Sequence, residues 1–99
     1  MNLGIIGATG LVGEEILKVL NKRGIEFTSL TLVASEKSVG KTICFQQKNY
    51  KLKSIEDVLE QELDVAIFSA GKEVSLRWAP IFSKKGVTVI DNSSAWRMD

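Results

Sequence analysis

The sequence contains no histidine, a single cysteine, a single proline and no excess of either charge: thirteen Lys and Arg face twelve Asp and Glu across 99 residues. Each shortage removes a class of function. One cysteine cannot build an internal disulfide framework, and without histidine the usual zinc ligand sets are out of reach. A net charge of +1 argues against a general nucleic-acid binder, which normally carries a basic excess on its domain. No apolar run approaches the roughly 20 residues that a membrane helix needs. The N-terminus lacks a basic segment followed by an apolar stretch and a cleavage site, so no secretory signal is expected. What is present, 44% hydrophobic and 25% charged residues, fits a globular domain of cytoplasmic type. At this length a single domain is expected, burying about 60–70% of the surface that its unfolded chain exposes.

The chain has no internal repeat, no low-complexity stretch and no linker. Strand and helix patterns alternate instead. Residues 2–6 are short and apolar with turn glycines behind them, as a strand buried on both faces requires. Residues 11–23 carry a helical stripe of Val12, Ile16, Val19 and Leu20, flanked by Leu17, with a Glu14–Lys18 pair on the polar side and Gly24 as the stop. A second strand is expected over 28–34 and a polar loop over 35–41. Two short strands, 42–45 and 49–53, flank a turn at Gln46-Gln47-Lys48. Ser54 should cap a short helix over 55–61. A buried strand follows over 63–69, then a helix over 72–85 that Pro80 should kink or split, and a last apolar strand over 87–91. This order predicts an α/β fold, a Rossmann-type doubly wound parallel sheet with the first strand in the middle. Ligands of such sheets sit beyond the carboxyl ends of the strands, which directs attention to residues 7–13, 34–41, 69–72 and 91–97.

The strongest motif is Gly7-Ala8-Thr9-Gly10-Leu11-Val12-Gly13, between a predicted strand and a predicted helix. Gly7 can make the tight turn, Gly10 lets backbone approach a diphosphate, and Gly13 lets the helix lie close to the strand. The bare amides of the helix start favour phosphate. The spacing is G-x-x-G-x-x-G rather than the usual dinucleotide G-x-G-x-x-G, and a ligand-free strand-to-helix turn is the competing reading. At the end of the second strand, Ser35, Lys37 and Ser38 offer donors and positive charge for a 2′-phosphate, favouring NADP. Glu36 pointing inward would favour NAD instead. Ser69-Ala70-Gly71 could let a cofactor lie against backbone, or Ser69 could simply cap the next helix. Arg97 presents a planar fork for phosphate or carboxylate, or pairs with Asp91 or Asp99. Cys44, between Ile43 and Phe45, reads as a small buried hydrophobe. Trp78 and Phe82 read as core, or as a face covered by further chain. No Tyr–Lys pair stands at i,i+4, which disfavours a short-chain dehydrogenase.

Taken together, these blocks resemble the N-terminal part of the aspartate-semialdehyde dehydrogenases over essentially all 99 residues. The marks are Gly7 to Gly13, Ala34-Ser35-Glu36-Lys37-Ser38-Val39-Gly40-Lys41, Asp64-Val65-Ala66-Ile67-Phe68-Ser69-Ala70-Gly71 and Asp91-Asn92-Ser93-Ser94-Ala95-Trp96-Arg97-Met98. The first block is common to many nucleotide-binding proteins, and the other three are more specific. Lys72 stands where a small residue is common, and Trp96 where Phe or Tyr is common. The resemblance implies reversible conversion of aspartate 4-semialdehyde, phosphate and NADP⁺ to 4-phosphoaspartate and NADPH, on the route to lysine, threonine and methionine. It implies that Thr9, Gly10, Leu11 and Val12 meet the diphosphate. Ser35, Lys37 and Ser38 would hold the 2′-phosphate, Ser69, Ala70 and Gly71 would lie near the nicotinamide, and Arg97 would bind the substrate phosphate.

It further implies that residues 1–99 are an incomplete N-terminal NAD(P)-binding domain, cut from a longer homodimeric or homotetrameric enzyme. The nucleophilic cysteine, the general-base histidine and the dimerisation domain would then lie beyond Asp99, and the fragment alone would be inactive. N-acetyl-glutamyl-phosphate reductase, which shares the fold and chemistry, and a non-catalytic nucleotide sensor are the alternatives.

Overall fold

The structure, a computed structural model, describes residues 1–91. Its order is β1 (Asn2–Ile6), α1 (Leu11–Lys22), β2 (Ser29–Val33), β3 (Thr42–Phe45), β4 (Lys48–Lys51), α2 (Ile55–Val58), β5 (Val65–Phe68), α3 (Lys72–Lys84) and β6 (Thr88–Asp91). Four strands form one sheet in the order β2-β1-β5-β6, and all of its pairings are parallel. Right-handed crossovers dictate this arrangement. The first helix carries the chain one way from β1, and the later crossovers carry it back past β1 to the other side.

The period of two in each strand divides the core. Leu3, Ile5, Leu30 and Leu32 face α1, where Leu17 and Leu20 meet them. Ile6, Val33, Ala66 and Phe68 face the other way, onto Val58 and Phe82. The Phe68 and Phe82 rings meet edge to face, centroids 5.7 Å apart and planes 71° apart. The buried Thr31 accepts a hydrogen bond from Gln61, and no buried side-chain polar atom among the described residues lacks a partner.

Several expectations are corrected. Val19, assigned to the apolar stripe, is 44% exposed, while Leu17 is core. The physical reason is that α1 lies over β1 and β2, with Val65 and Ile67 of β5 only partly buried at the edge of that core. The same face of β5 and β6 has no helix over it among the described residues. A cleft of about 370 Å3 lies there between Ile16, Val19, Leu20, Ile25, Ile67 and Ile90, so β5 and β6 are less buried than their apolar runs imply. Lys18 pairs with Glu15 at 3.6 Å rather than with Glu14, and both groups are too exposed for the pair to stabilise the helix much.

Pro80 does not split its helix, which runs unbroken from Lys72 to Lys84. Pro80 and Leu76, whose carbonyl loses its helical partner, both lie on the exposed face, where water replaces the missing amide. The turn of the small hairpin is two residues, Gln46 and Gln47, both with positive φ, and β4 begins at Lys48. Lys53 makes a separate parallel bridge to Val33. Cys44 is exposed. In the β3–β4 ribbon, Ile43 and Phe45 turn towards the core, and alternation sends the residue between them to the opposite face. Ser54 caps α2 as expected, accepting from the Asp57 amide at 3.2 Å, but the helix is one turn long.

Gly13 sets how close α1 comes to the turn that precedes it. A Cβ built there would lie 2.3 Å from the Gly7 carbonyl oxygen and 2.8 Å from the Ala8 backbone. Those atoms are main chain and cannot swing aside, so any side chain must lift the helix.

Two substitutions test this packing. Phe82→Ala removes a ring that is 1% exposed and should cost about 3–5 kcal/mol, a large share of the roughly 5–15 kcal/mol that a domain holds. Leu76→Ala, at a residue 68% exposed, should stay within about 0.5 kcal/mol. Urea titration followed by circular dichroism checks both, and equal losses would contradict the assignment of Phe82 to the core. Gly13→Ala should lose about 1–3 kcal/mol through overpacking, although alanine is the better helix former. A gain in melting temperature would contradict the close contact.

Candidate functional site

The site is built at the carboxyl end of the sheet, where the crossovers diverge between β1 and β5. Beyond Ile6 the chain turns at Gly7, with φ of 96°. The Gly7 and Ala8 amides both donate to the Val33 carbonyl, at 2.9 and 3.0 Å. That pair ties the turn to the end of β2. The Gly10 amide then donates back to the Gly7 carbonyl at 3.3 Å, and the Glu14 amide donates to the Gly10 carbonyl at 3.0 Å, opening the helix. Gly10 is the N-cap residue and no side chain caps α1. The amides of Leu11, Val12 and Gly13 therefore have no intrahelical acceptor. Thr9 and Gly10 are exposed, and a Cβ on Gly10 would meet only the Gly7 oxygen, at 3.8 Å. The result is an open, positively polarised rim of main-chain donors, with Glu14 as the acidic residue of the first turn.

The loop after β5 leans on this turn. A Cβ on Gly7 would come 2.7 Å from the Ala70 backbone. Ser69 does not cap α3. Gly71 occupies the cap position, with φ of 106° and no side-chain cap bond. The Ser69 amide donates to the Ile6 carbonyl at 2.8 Å, and its hydroxyl reaches the Ile6 and Gly7 carbonyls at 3.1 and 3.2 Å.

On the α3 side of the sheet, a cavity of about 210 Å3 opens between Gly7, Val33, Ser35, Ala70, Val74 and Trp78. It brings together the ends of β1 and β2, the loop after β5 and the first turns of α3. Ser35 thus lines the cavity, whereas Lys37 and Ser38 stand further along the same loop. That loop is a run of turns, with the Ser38 and Val39 amides donating to the Ser35 carbonyl at 2.9 and 3.2 Å. Ser35, Glu36 and Lys37 are exposed and Ser38 is half-buried.

Two residues of this region escaped the sequence reading. Trp78, read as core or as a face covered by further chain, packs half-buried against the core and also forms a wall of the cavity, with the Arg77 guanidinium carbon 5.2 Å from its ring. Ser75 is 4% exposed and its hydroxyl donates to Asp91 at 3.1 Å, joining the first turn of α3 to the end of β6. Neither position carries a local signal, since a serine inside a helix is usually solvated. Arg97 and the rest of the 92–97 cluster lie outside the described residues.

A larger groove, about 580 Å3, lies at the opposite end of the molecule, beside residues that precede β2 and around the hairpin turn, including Phe27, Ser29, Gln46, Lys48 and Tyr50. It has size without the convergent main-chain donors of the glycine turn. Among the described residues, no cluster of His, Cys, Asp and Glu could hold a metal ion, and no helix is long and apolar enough to cross a membrane.

Comparison with known proteins agrees with this geometry. Residues 2–99 match the family described as "Semialdehyde dehydrogenase, NAD binding domain". The chain is 50% identical over 98 residues to aspartate-semialdehyde dehydrogenase of Aquifex aeolicus, covering 98% of this chain and 29% of that protein. It is 46% identical to aspartate-semialdehyde dehydrogenase 2 of Vibrio cholerae, covering 99% of this chain and 29% of that one. The crystal structure of aspartate semialdehyde dehydrogenase II from Vibrio cholerae, complexed with ASA, superposes with a TM-score of 0.87 at 46% identity, covering 99% of this chain and 32% of that one. The chain thus spans about 30% of the length of these relatives. With a parallel Rossmann-like sheet and a glycine turn at its switch point, the chain belongs to the semialdehyde dehydrogenase family, within that family's NAD-binding domain.

Proposed function

We propose that this chain is the cofactor-binding part of an NADP-dependent aspartate-semialdehyde dehydrogenase, a soluble cytoplasmic enzyme of amino-acid biosynthesis. The observation that carries this reading is the uncapped start of α1, held against the Gly7 turn by the absence of a side chain at Gly13. Helix starts of this kind favour anions because the unpaired amides and the helix dipole act together. The residues fit a nicotinamide dinucleotide, which supplies hydride transfer when bound. The amides of Leu11, Val12 and Gly13 would hold the diphosphate, with Gly10 and the Thr9 hydroxyl beside them. The cavity between Val33, Ser35, Ala70 and Trp78 would take the flat adenine, since its walls are mostly apolar.

Ser35, Lys37 and Ser38 would meet the 2′-phosphate. Ser35 and Lys37 are exposed and Ser38 is half-buried, so this loop gives a phosphate donors without a desolvation cost to the lysine. Glu36 would point away from it. Arg97 would hold the phosphate of the substrate.

Cys44 does not line the cavity at the carboxyl end of the sheet; it lies on the β3–β4 hairpin, in a cleft with Glu14, Leu17 and Asn21. The covalent step of such an enzyme needs an activated thiolate. The 99 residues are therefore expected to bind the dinucleotide without turning over substrate, as one unit of a longer homo-oligomeric enzyme.

Titration of the chain with NADPH and NADH, followed by quenching of tryptophan fluorescence, tests the cofactor assignment. NADPH should bind at least about tenfold more tightly, the worth of one charge-assisted contact. Lys37→Ala should remove most of that preference while leaving NADH binding unchanged. Equal affinity for the two dinucleotides would contradict the assignment of the 35–38 loop to a 2′-phosphate.

A further inference from the structure

We infer that Ser69 is a positioning residue for the diphosphate loop: its hydroxyl braces the Gly7 carbonyl and so fixes the peptide from which the α1 amides are aimed. The inference rests on the cofactor reading above and deepens it, because it assigns Ser69 a part other than direct contact with the dinucleotide.

A serine hydroxyl has one proton to give. The Ser69 proton is shared between the Ile6 and Gly7 carbonyls, at 3.1 and 3.2 Å. The Ile6 carbonyl is already engaged by the Ser69 amide at 2.8 Å. The Gly7 carbonyl has only the longer bond from the Gly10 amide, at 3.3 Å, so the hydroxyl adds more at Gly7 than at Ile6. The Gly7 carbonyl needs an external hold. Gly7 sits at φ of 96°, and glycine meets little steric resistance to leaving such a conformation.

The Gly7 carbonyl is also where the loop and the helix meet. It accepts from the Gly10 amide at 3.3 Å, and it is the atom against which a Gly13 Cβ would press. Rotation of this one peptide would move the Ala8 and Gly10 amides and change the seat of α1 together. Ser69 is the side chain that bonds to it among the described residues. The bond also crosses the switch point, tying the end of β5 to the end of β1, so the rim is braced from both sides: by Val33 of β2 through the Gly7 and Ala8 amides, and by Ser69 through the Gly7 carbonyl.

Ser69→Ala in the full chain tests this with three readouts. Amide hydrogen exchange at Ala8 and Gly10 should quicken about fivefold, the worth of one neutral hydrogen bond, while exchange in β6 and the far turns of α3 stays unchanged. The dissociation constant for NADPH should rise by about the same factor. That for adenosine 2′-phosphate, which lacks the diphosphate, should not change, and the melting temperature should fall by no more than about 8 °C. Unchanged exchange at Ala8 and Gly10 would overturn the brace, as would equal weakening of both ligands with a large fall in melting temperature, since that pattern belongs to general destabilisation. If wild-type chain fails to bind NADPH, the cofactor reading fails, and the exchange rates still decide whether Ser69 holds the turn.

Discussion

The structure depends on one close contact of backbone with backbone, where the first turn of α1 rests on the Gly7 carbonyl and the Ala8 peptide. A Cβ at Gly13 would stand 2.3 Å from that oxygen, nearer than any side chain can approach. Because nothing intervenes, the helix begins where β1 stops, and its uncapped amides open at the carboxyl end of the sheet. The turn's own amides are spent on Val33, which leaves those of the helix for a ligand. Position and polarity at the rim thus follow from a missing side chain rather than from any charged group.

The two faces of the sheet are finished differently, and this shapes what the molecule can do. The α3 face is closed by Phe68, Phe82 and Val58, among the most buried side chains of the chain. That closed core supports the cavity walls supplied by Val74 and Trp78. The α1 face is covered over β1 and β2 and left open over β5 and β6, where Ile90 is 46% exposed. The rim stands at the end of β1, a strand whose residues are buried on both faces.

Much of this was legible in the sequence, because the informative residues act locally. The strand runs, the caps at Ser54 and Gly24, and the place of β1 in mid-sheet follow from patterning and from the handedness of crossovers. Gly7, Gly10 and Gly13 could be assigned to their turn because strand and helix patterns flank them. The misreadings have a common origin in tertiary context. Cys44 looked buried because its sequence neighbours are apolar, but in a strand the neighbours point the other way. Val19 looked like core because periodicity cannot tell how far a helix reaches across a sheet. Pro80 looked disruptive because the sequence does not show that the orphaned carbonyl faces water. Ser69 and Ser75 are the harder cases: Ser69 is marked by its place after a strand, but its bond to Gly7, like that of Ser75 to Asp91, is to a residue distant in sequence.

The central claim is that bare amides at the start of α1 receive the diphosphate of a nicotinamide dinucleotide. The most direct measurement is the amide spectrum of the nitrogen-15-labelled chain during titration with NADPH. The account predicts that the largest shifts fall on residues 8–13, with smaller ones at 35–38 and 69–71. Shifts concentrated instead around residues 24–30 and 46–50, in the groove at the other end of the molecule, would contradict it.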